Sequence, residues 1–206
     1  MGRSEGERKK EHYYRAAKIH GYRSRSAYKL RQAVAAHKLL SGVNVVLDLC
    51  CCPGGWTQVL REIDSSLTVV AVDIEPMVPI EGVTFLQGDI TKPETFERIK
   101  SLIGGRVDLV LSDCSAKVSG TWDLDVARQL FLAEKTFEIA MKLLGRKGKV
   151  MAKVFQGKGF QEFLQSLRAN FHFIRLIKPD ASRRTSAEIY VLAEGPMRTE
   201  LDMENV

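Results

Sequence analysis

The apolar residues of this chain fall into short continuous runs separated by amphipathic stretches. Runs at 45–49, 67–72, 83–86, 107–111 and 149–155 are rich in Val, Leu and Ile, which predicts strands buried on both faces. Between them, 55–63, 93–103 and 124–144 carry apolar stripes at helical spacing and are long enough to cross over a sheet. Upstream, SRSAYKLRQAVAAHKLL (24–40) predicts a helix with Ser24 or Ser26 at its N-cap, ending near Ser41 and Gly42. Strands alternating with helices require a parallel core sheet. The last third breaks that rhythm. After a helical stretch at 160–167, the runs 172–176 and 187–192 are joined only by the short polar loop KPDASRRTS, which predicts an antiparallel finish. The expected fold class is α/β, with a seven-stranded, mostly parallel sheet, one antiparallel strand and helices on both faces.

The first strand-to-helix turn carries the clearest chemistry. In VVLDLCCCPGGWTQVL (45–60) an apolar strand and an acid are followed by Pro53-Gly54-Gly55 and an amphipathic helix. Such a turn sits at the carboxyl edge of a parallel sheet, where nucleotide-like cofactors are held. Dinucleotide folds need G-x-G-x-x-G so that backbone can approach a pyrophosphate. Here Cys50 and Cys52 occupy the first two glycine positions, which disfavours a nicotinamide oxidoreductase. S-adenosylmethionine has no pyrophosphate and asks for a tight turn with free N–H groups instead. Asp73, 25 residues after Asp48, ends the second predicted strand, where an acid binds ribose hydroxyls. Asp89, after the third, is placed to accept the adenine amino group.

Length and charge narrow the reading. A chain of 206 residues with 45% hydrophobic content supports one well-buried domain, and no apolar run approaches the roughly 18 residues that span a bilayer. A cytoplasmic, monomeric protein without a membrane partner or a metal site is expected. Cys50, Cys51, Cys52 and Cys114 lack disulfide-framework or CxxC spacing and are expected to be small buried thiols. Residues 1–38 hold eleven Lys/Arg against three Glu, a net +8 within a chain of net +6. Interleaved with Tyr13, Tyr14, Tyr22 and Tyr28, that charge predicts an RNA-facing segment over 1–23, ahead of a catalytic domain over 24–195 and a short tail at 196–206. Arg183 and Arg184 would extend the basic surface.

Seven segments in order carry a family resemblance: GYRSRSAYKL (21–30), LDLCCCPGGWTQVL (47–60), AVDI (71–74), GDI (88–90), LVLSD (109–113), KVFQG (153–157) and RRTSAEIYVL (183–192). In these the chain resembles FtsJ/RrmJ-type RNA ribose 2′-O-methyltransferases, which have a Rossmann-like class I methyltransferase fold. The resemblance implies a catalytic tetrad at Lys29, Asp113, Lys153 and Glu188. It implies S-adenosylmethionine as cofactor, with contacts at Gly54, Trp56, Asp73, Asp89 and Asp113. Large-subunit ribosomal RNA, within a subunit or an assembly particle, is the implied partner, with a uridine ribose as acceptor. A tRNA anticodon loop is the nearest alternative substrate, and a non-catalytic RNA-binding assembly factor the alternative from another class. Two departures stand out. The family's Gly-Ala-Ala-Pro-Gly-Gly is Cys50-Cys51-Cys52-Pro53-Gly54-Gly55 here, which predicts that Cys50 avoids any backbone conformation reserved for glycine. The family's Ser-Asp-Met-Ala-Pro-Asn loop is Ser112-Asp113-Cys114-Ser115-Ala116-Lys117, keeping the acid but losing the proline and asparagine.

The chemistry makes sense of a lysine in a strand. A ribose hydroxyl is a poor nucleophile until its proton is removed or its developing charge is stabilised. VMAKVF embeds Lys153 in a strand expected to be buried, where a charge needs a partner. Asp113, at a neighbouring strand end, is placed to supply it.

Overall fold

The computed structural model describes residues 5–182 and 186–197, with side chains from residue 11 onward. Its elements run α1 (Glu5–Ile19), α2 (Ala27–His37), β1 (Val45–Leu49), α3 (Gly55–Ile63), β2 (Thr68–Asp73), β3 (Val83–Gln87), α4 (Pro93–Ile103), β4 (Val107–Ser112), α5 (Trp122–Leu143), β5 (Leu144–Phe155), α6 (Phe160–Arg168), β6 (Phe171–Ile177) and β7 (Glu188–Pro196). The seven strands form one sheet in the order β3-β2-β1-β4-β5-β7-β6. Only β7 runs against its neighbours: β5 and β6 both pair with it antiparallel, while the other pairs are parallel.

Strand alternation divides the core in two. Leu47, Leu49, Val110, Val150 and Ala152 face the layer that holds α4, α5 and α6, packing with Ile99, Phe137 and Leu164. Val46, Leu109, Leu111, Met151 and Tyr190 face the other layer, against Leu30 and Ala33 of α2 and Trp56 and Leu60 of α3. Burial on both sides accounts for the unbroken apolar runs. Helix ends follow local chemistry. Pro93 opens α4 at its first turn, and Gly104, at φ 64°, closes it with its N–H on the Lys100 carbonyl.

The helix expected over 24–40 is shorter. Ser26 occupies the N-cap position without a capping bond, and the chain leaves the helix at Lys38 in a left-handed conformation. Much of the basic N-terminal segment is helix α1. The third predicted helix ends at Leu143, and β5 starts immediately after it, with a register irregularity against β4 between Val107 and Leu109. Arg183, Arg184 and most of the tail at 196–206 lie outside the described residues.

Candidate active site

The parallel strands β1 to β5 end at one edge of the sheet, and the antiparallel β7 begins there. The turn after β1 enters α3 through a cis Cys52–Pro53 peptide and Gly54, whose φ is 105°. A side chain at Gly54 would also meet Met77, Arg23 and Ile80 within 2.9–3.1 Å, so the position needs glycine twice over. The first-turn N–H groups of α3 have no intrahelical acceptor and open toward the carboxyl edge of the sheet, as at any helix N-terminus.

The N-terminal segment is clamped onto this turn. Arg23 donates to the carbonyls of Pro53 (3.3 Å), Val78 (2.6 Å) and Pro79 (3.0 Å). Trp56, in the first turn of α3, keeps its indole in the core. It is 2% exposed, lies 5.7 Å from the Tyr190 ring and donates its Nε1–H to the Ser26 carbonyl at 2.8 Å. Much of the basic, tyrosine-bearing segment is likewise used internally. Arg31 bonds Glu62 and Tyr22, while Tyr13, Tyr22 and Tyr28 pack on one another at 5.2–5.6 Å.

The three strand-end acids separate into two roles. Asp73 accepts the Cys52 N–H at 2.8 Å on one oxygen and the Glu75 N–H at 2.9 Å on the other, so its carboxylate is held rigidly at the turn with lone pairs to spare for hydroxyls. Asp89 commits Oδ1 to the Thr91 N–H and hydroxyl, which leaves Oδ2 for a ligand among the described residues. Asp48 is different. It is 1% exposed and accepts the Thr57 hydroxyl at 2.7 Å beneath the turn; burial pushes its carboxyl up to about 7, with Thr57 pulling down and Asp113 and Asp73 pushing up. It fastens α3 to β1 rather than meeting a ligand.

Lys29, Asp113, Lys153 and Glu188 converge on one hydrogen-bonded chain. Lys153 Nζ donates to the Asp113 carbonyl at 2.8 Å and pairs with its Oδ1 at 3.2 Å. The Tyr190 hydroxyl donates to the same Oδ1 at 2.6 Å and accepts from Lys29 Nζ at 3.1 Å. Lys29 Nζ pairs with Glu188 Oε1 at 2.6 Å, and Ser182 donates to that oxygen at 2.9 Å. Burial alone would raise the Asp113 carboxyl. The charges of Lys153 and then Lys29, with the Tyr190 bond, outweigh it and hold the group below the usual carboxylate range. Burial, followed by the charges of Asp113 and Glu188, pushes the Tyr190 phenol well up, so it stays a donor. The topology explains the meeting: β7 is antiparallel, and its register sets Glu188 opposite Phe155 and Tyr190 opposite Lys153.

Tyr190, Ser182 and Gln129 are members the sequence reading did not single out. Tyr190 stands two residues after Glu188, on the same strand face, and that period was the available signal. Gln129, fully buried on α5, donates to the carbonyls of Cys114 (2.9 Å) and Lys153 (3.0 Å) and accepts the Ala116 N–H at 3.2 Å. It ties the loop after β4 to the strand that carries the lysine.

Two cysteine expectations are overturned. Cys50 and Cys114 form a disulfide with Cα atoms 5.0 Å apart, because β1 and β4 are neighbours and Leu49 is in register with Ser112. Cys50 also adopts φ 56°, the left-handed region it was expected to avoid. That conformation costs an ordinary residue about 1 kcal/mol, small against the packing around it. Cys51 and Cys52 remain thiols, and with Asp73 their ligand-type atoms lie within 4.8 Å of one another. Burial pushes both thiols up, Cys52 to about 11, and the Cys52 thiol donates to the Glu75 carbonyl. Protonated thiols are poor metal ligands.

A β3-β2-β1-β4-β5-β7-β6 sheet with a glycine turn and ribose-type acids at its carboxyl edge defines a methyltransferase of the Rossmann-like kind. Within that class the chain belongs to the FtsJ-like methyltransferase family, whose model matches residues 22–196. Among curated relatives, the ribosomal RNA large subunit methyltransferase E of Archaeoglobus fulgidus is 46% identical over 186 residues, covering 90% of this chain and 96% of its own length. The enzyme of the same name from Methanothrix thermoacetophila is 45% identical over 185 residues, covering 90% and 72%. A crystallised Plasmodium falciparum protein assigned as a ribosomal RNA methyltransferase shares the fold at a TM-score of 0.77 and 24% identity, covering 86% of this chain and all of that one. Membership in this family makes S-adenosylmethionine the methyl donor. The rigid Asp73 carboxylate, the available Asp89 Oδ2 and the open α3 N-terminus fit the ribose, adenine and methionine parts of such a molecule.

Proposed function

We propose that this protein methylates a ribose 2′-oxygen, that of a uridine in large-subunit ribosomal RNA. The observation that carries this reading is the chain from Lys153 through Asp113, Tyr190 and Lys29 to Glu188, set at the sheet edge beside the cofactor acids. The relatives' names support the RNA class. S-adenosylmethionine supplies an electrophilic methyl group on a sulfonium. Lys153 has three N–H donors as an ammonium, and two are taken by Asp113, so one is left for an incoming hydroxyl. That N–H orients the 2′-oxygen for in-line attack, and the ammonium stabilises the negative charge that develops as the hydroxyl proton leaves to water. Asp113 fixes Lys153 through two contacts, while Lys29 and Glu188 hold the opposite end of the network and position the ribose.

Lys153→Ala removes the group that meets the acceptor and leaves the cofactor acids in place. Turnover should fall by at least about 10³-fold, with S-adenosylmethionine binding by calorimetry within a factor of two. A near-native rate would overturn the role given to Lys153. Mapping ribose methylation on total RNA from cells lacking the protein checks the substrate. Loss of one 2′-O-methyl uridine from large-subunit RNA is expected, and loss confined to tRNA would overturn the RNA class. Structured RNA or a ribosomal particle should be preferred to a short oligonucleotide, because reading RNA sequence needs bases displayed in loops or on assembled surfaces.

A further inference from the structure

At the end of α5 nearest the active-site edge, Trp122 is 53% exposed. Its indole stacks on Phe155 with ring centroids 6.1 Å apart and planes 11° from parallel. The two rings lie parallel and offset, and about half of the tryptophan remains open to solvent. Phe155 is two residues beyond Lys153 on β5, a step of about 7 Å along the strand, comparable to one nucleotide of extended RNA.

The mount is rigid. Asp125 accepts the Ser119 N–H and hydroxyl, both at 2.7 Å, and the Gly120 N–H at 3.3 Å, which folds the preceding loop against the first turn of α5. One turn beyond Asp125, Gln129 locks the same helix to the backbone of Lys153. Lys117 in the loop and Lys158 after β5 are both exposed and flank the aromatic pair in sequence. An exposed tryptophan at a helix start adds little to folding, since half its surface stays in water. Held parallel to Phe155, two residues beyond Lys153 on β5, it offers a preorganised π-face of the kind on which unstacked bases settle.

We propose that Trp122, backed by Phe155, is a stacking platform for a base of the RNA within one nucleotide of the acceptor ribose. This inference rests on the RNA methyltransferase reading above and adds the surface that holds the substrate base. Trp122 would be a substrate-binding residue, outside the network that performs the transfer.

The chain has two tryptophans, and Trp56 is only 2% exposed, so a change in indole emission on adding RNA reports Trp122. Titrating the protein with a transcript of large-subunit ribosomal RNA should quench that emission, and Trp122→Phe should lose the signal. In steady-state methylation of the same transcript, Trp122→Ala should raise KM for RNA about five- to hundredfold, the effect of losing one base stack. Its KM for S-adenosylmethionine and its thermal midpoint should hold, and Trp122→Phe, which still presents a ring, should restore most of the RNA affinity. If Trp122 only shields Phe155, the alanine variant melts earlier with an unchanged KM for RNA, and the platform is overturned. Wild-type turnover with silent indole emission overturns it equally while leaving the RNA reading intact. Wild type that neither binds nor methylates the transcript overturns both.

Discussion

Removing the Tyr190 hydroxyl takes the 2.6 Å donor from Asp113 Oδ1, leaving it Lys153, and takes one of two acceptors from Lys29, leaving it Glu188, all inside the protein. A buried hydrogen-bonding position left unmatched costs about 1–3 kcal/mol. Tyr190→Phe should therefore lower both the thermal midpoint and kcat, the latter about tenfold, with KM for S-adenosylmethionine unchanged. Equal kcat in the two forms would show that the network does not transmit through this hydroxyl. Asp48 makes a pH prediction of definite sign. Its folded carboxyl titrates at about 7 against 3.8 when unfolded, so the folded state binds more protons between those values and loses stability as pH rises. Three units correspond to roughly 4 kcal/mol. Asp48→Asn should gain stability relative to wild type as pH goes from 4 to 7 and hold that gain above it, as denaturant midpoints will report. Asp113, held low by Lys153, runs the other way: its contribution is present above the usual carboxylate range and is lost on acidification.

Among the elements, β1 and β4 carry a constraint that neither shows alone. Their neighbouring ends bring Cys50 and Cys114 into a disulfide spanning 64 residues, between the cofactor turn and the residue after Asp113. Closing a loop of that size stabilises by about 4 kcal/mol on chain-entropy grounds. Reduction, or Cys114→Ser under oxidising conditions, should lower the unfolding midpoint accordingly, and identical midpoints with and without reductant would show that the bond adds nothing. The element boundaries themselves were largely readable from periodicity. β1, α3 and α4 fall where the apolar pattern sets them, because each is bracketed by local signals such as Pro93 and Gly104. The start of β5 was not readable: Leu144 follows the α5 stripe without a break, and only pairing with Val107 turns it into strand.

Across the molecule, charge is lopsided, with residues 1–38 at net +8 in a chain of net +6. Part of that charge is bound internally, Lys29 by Glu188, Arg31 by Glu62 and Arg23 by backbone carbonyls. The rest should still make RNA association depend steeply on salt, because each phosphate contact releases condensed counterions. Raising NaCl from 50 to 200 mM should weaken RNA binding by at least about tenfold and leave S-adenosylmethionine binding nearly constant. A flat response would remove the basic segment from the RNA surface.

The order of strands and helices and the glycine turn were written in local patterns, since hydrophobic period and turn chemistry need no partner to be seen, whereas Lys29, Asp113, Lys153 and Glu188 were singled out by the family resemblance. Which groups touch is another matter. Asp48, Asp73 and Asp89 look alike as strand-end acids, yet one is tied down by Thr57 and the other two follow β2 and β3 at the carboxyl edge of the sheet. Tyr190 joins Lys29 to Asp113 only because β7 enters the sheet antiparallel beside β5, bringing residues 77 positions apart within 2.6 Å. Cys50 meets Cys114 only because β4 lies next to β1. Contacts of that kind depend on strand order and register, which arise from packing the whole chain and leave no mark on any short stretch of it.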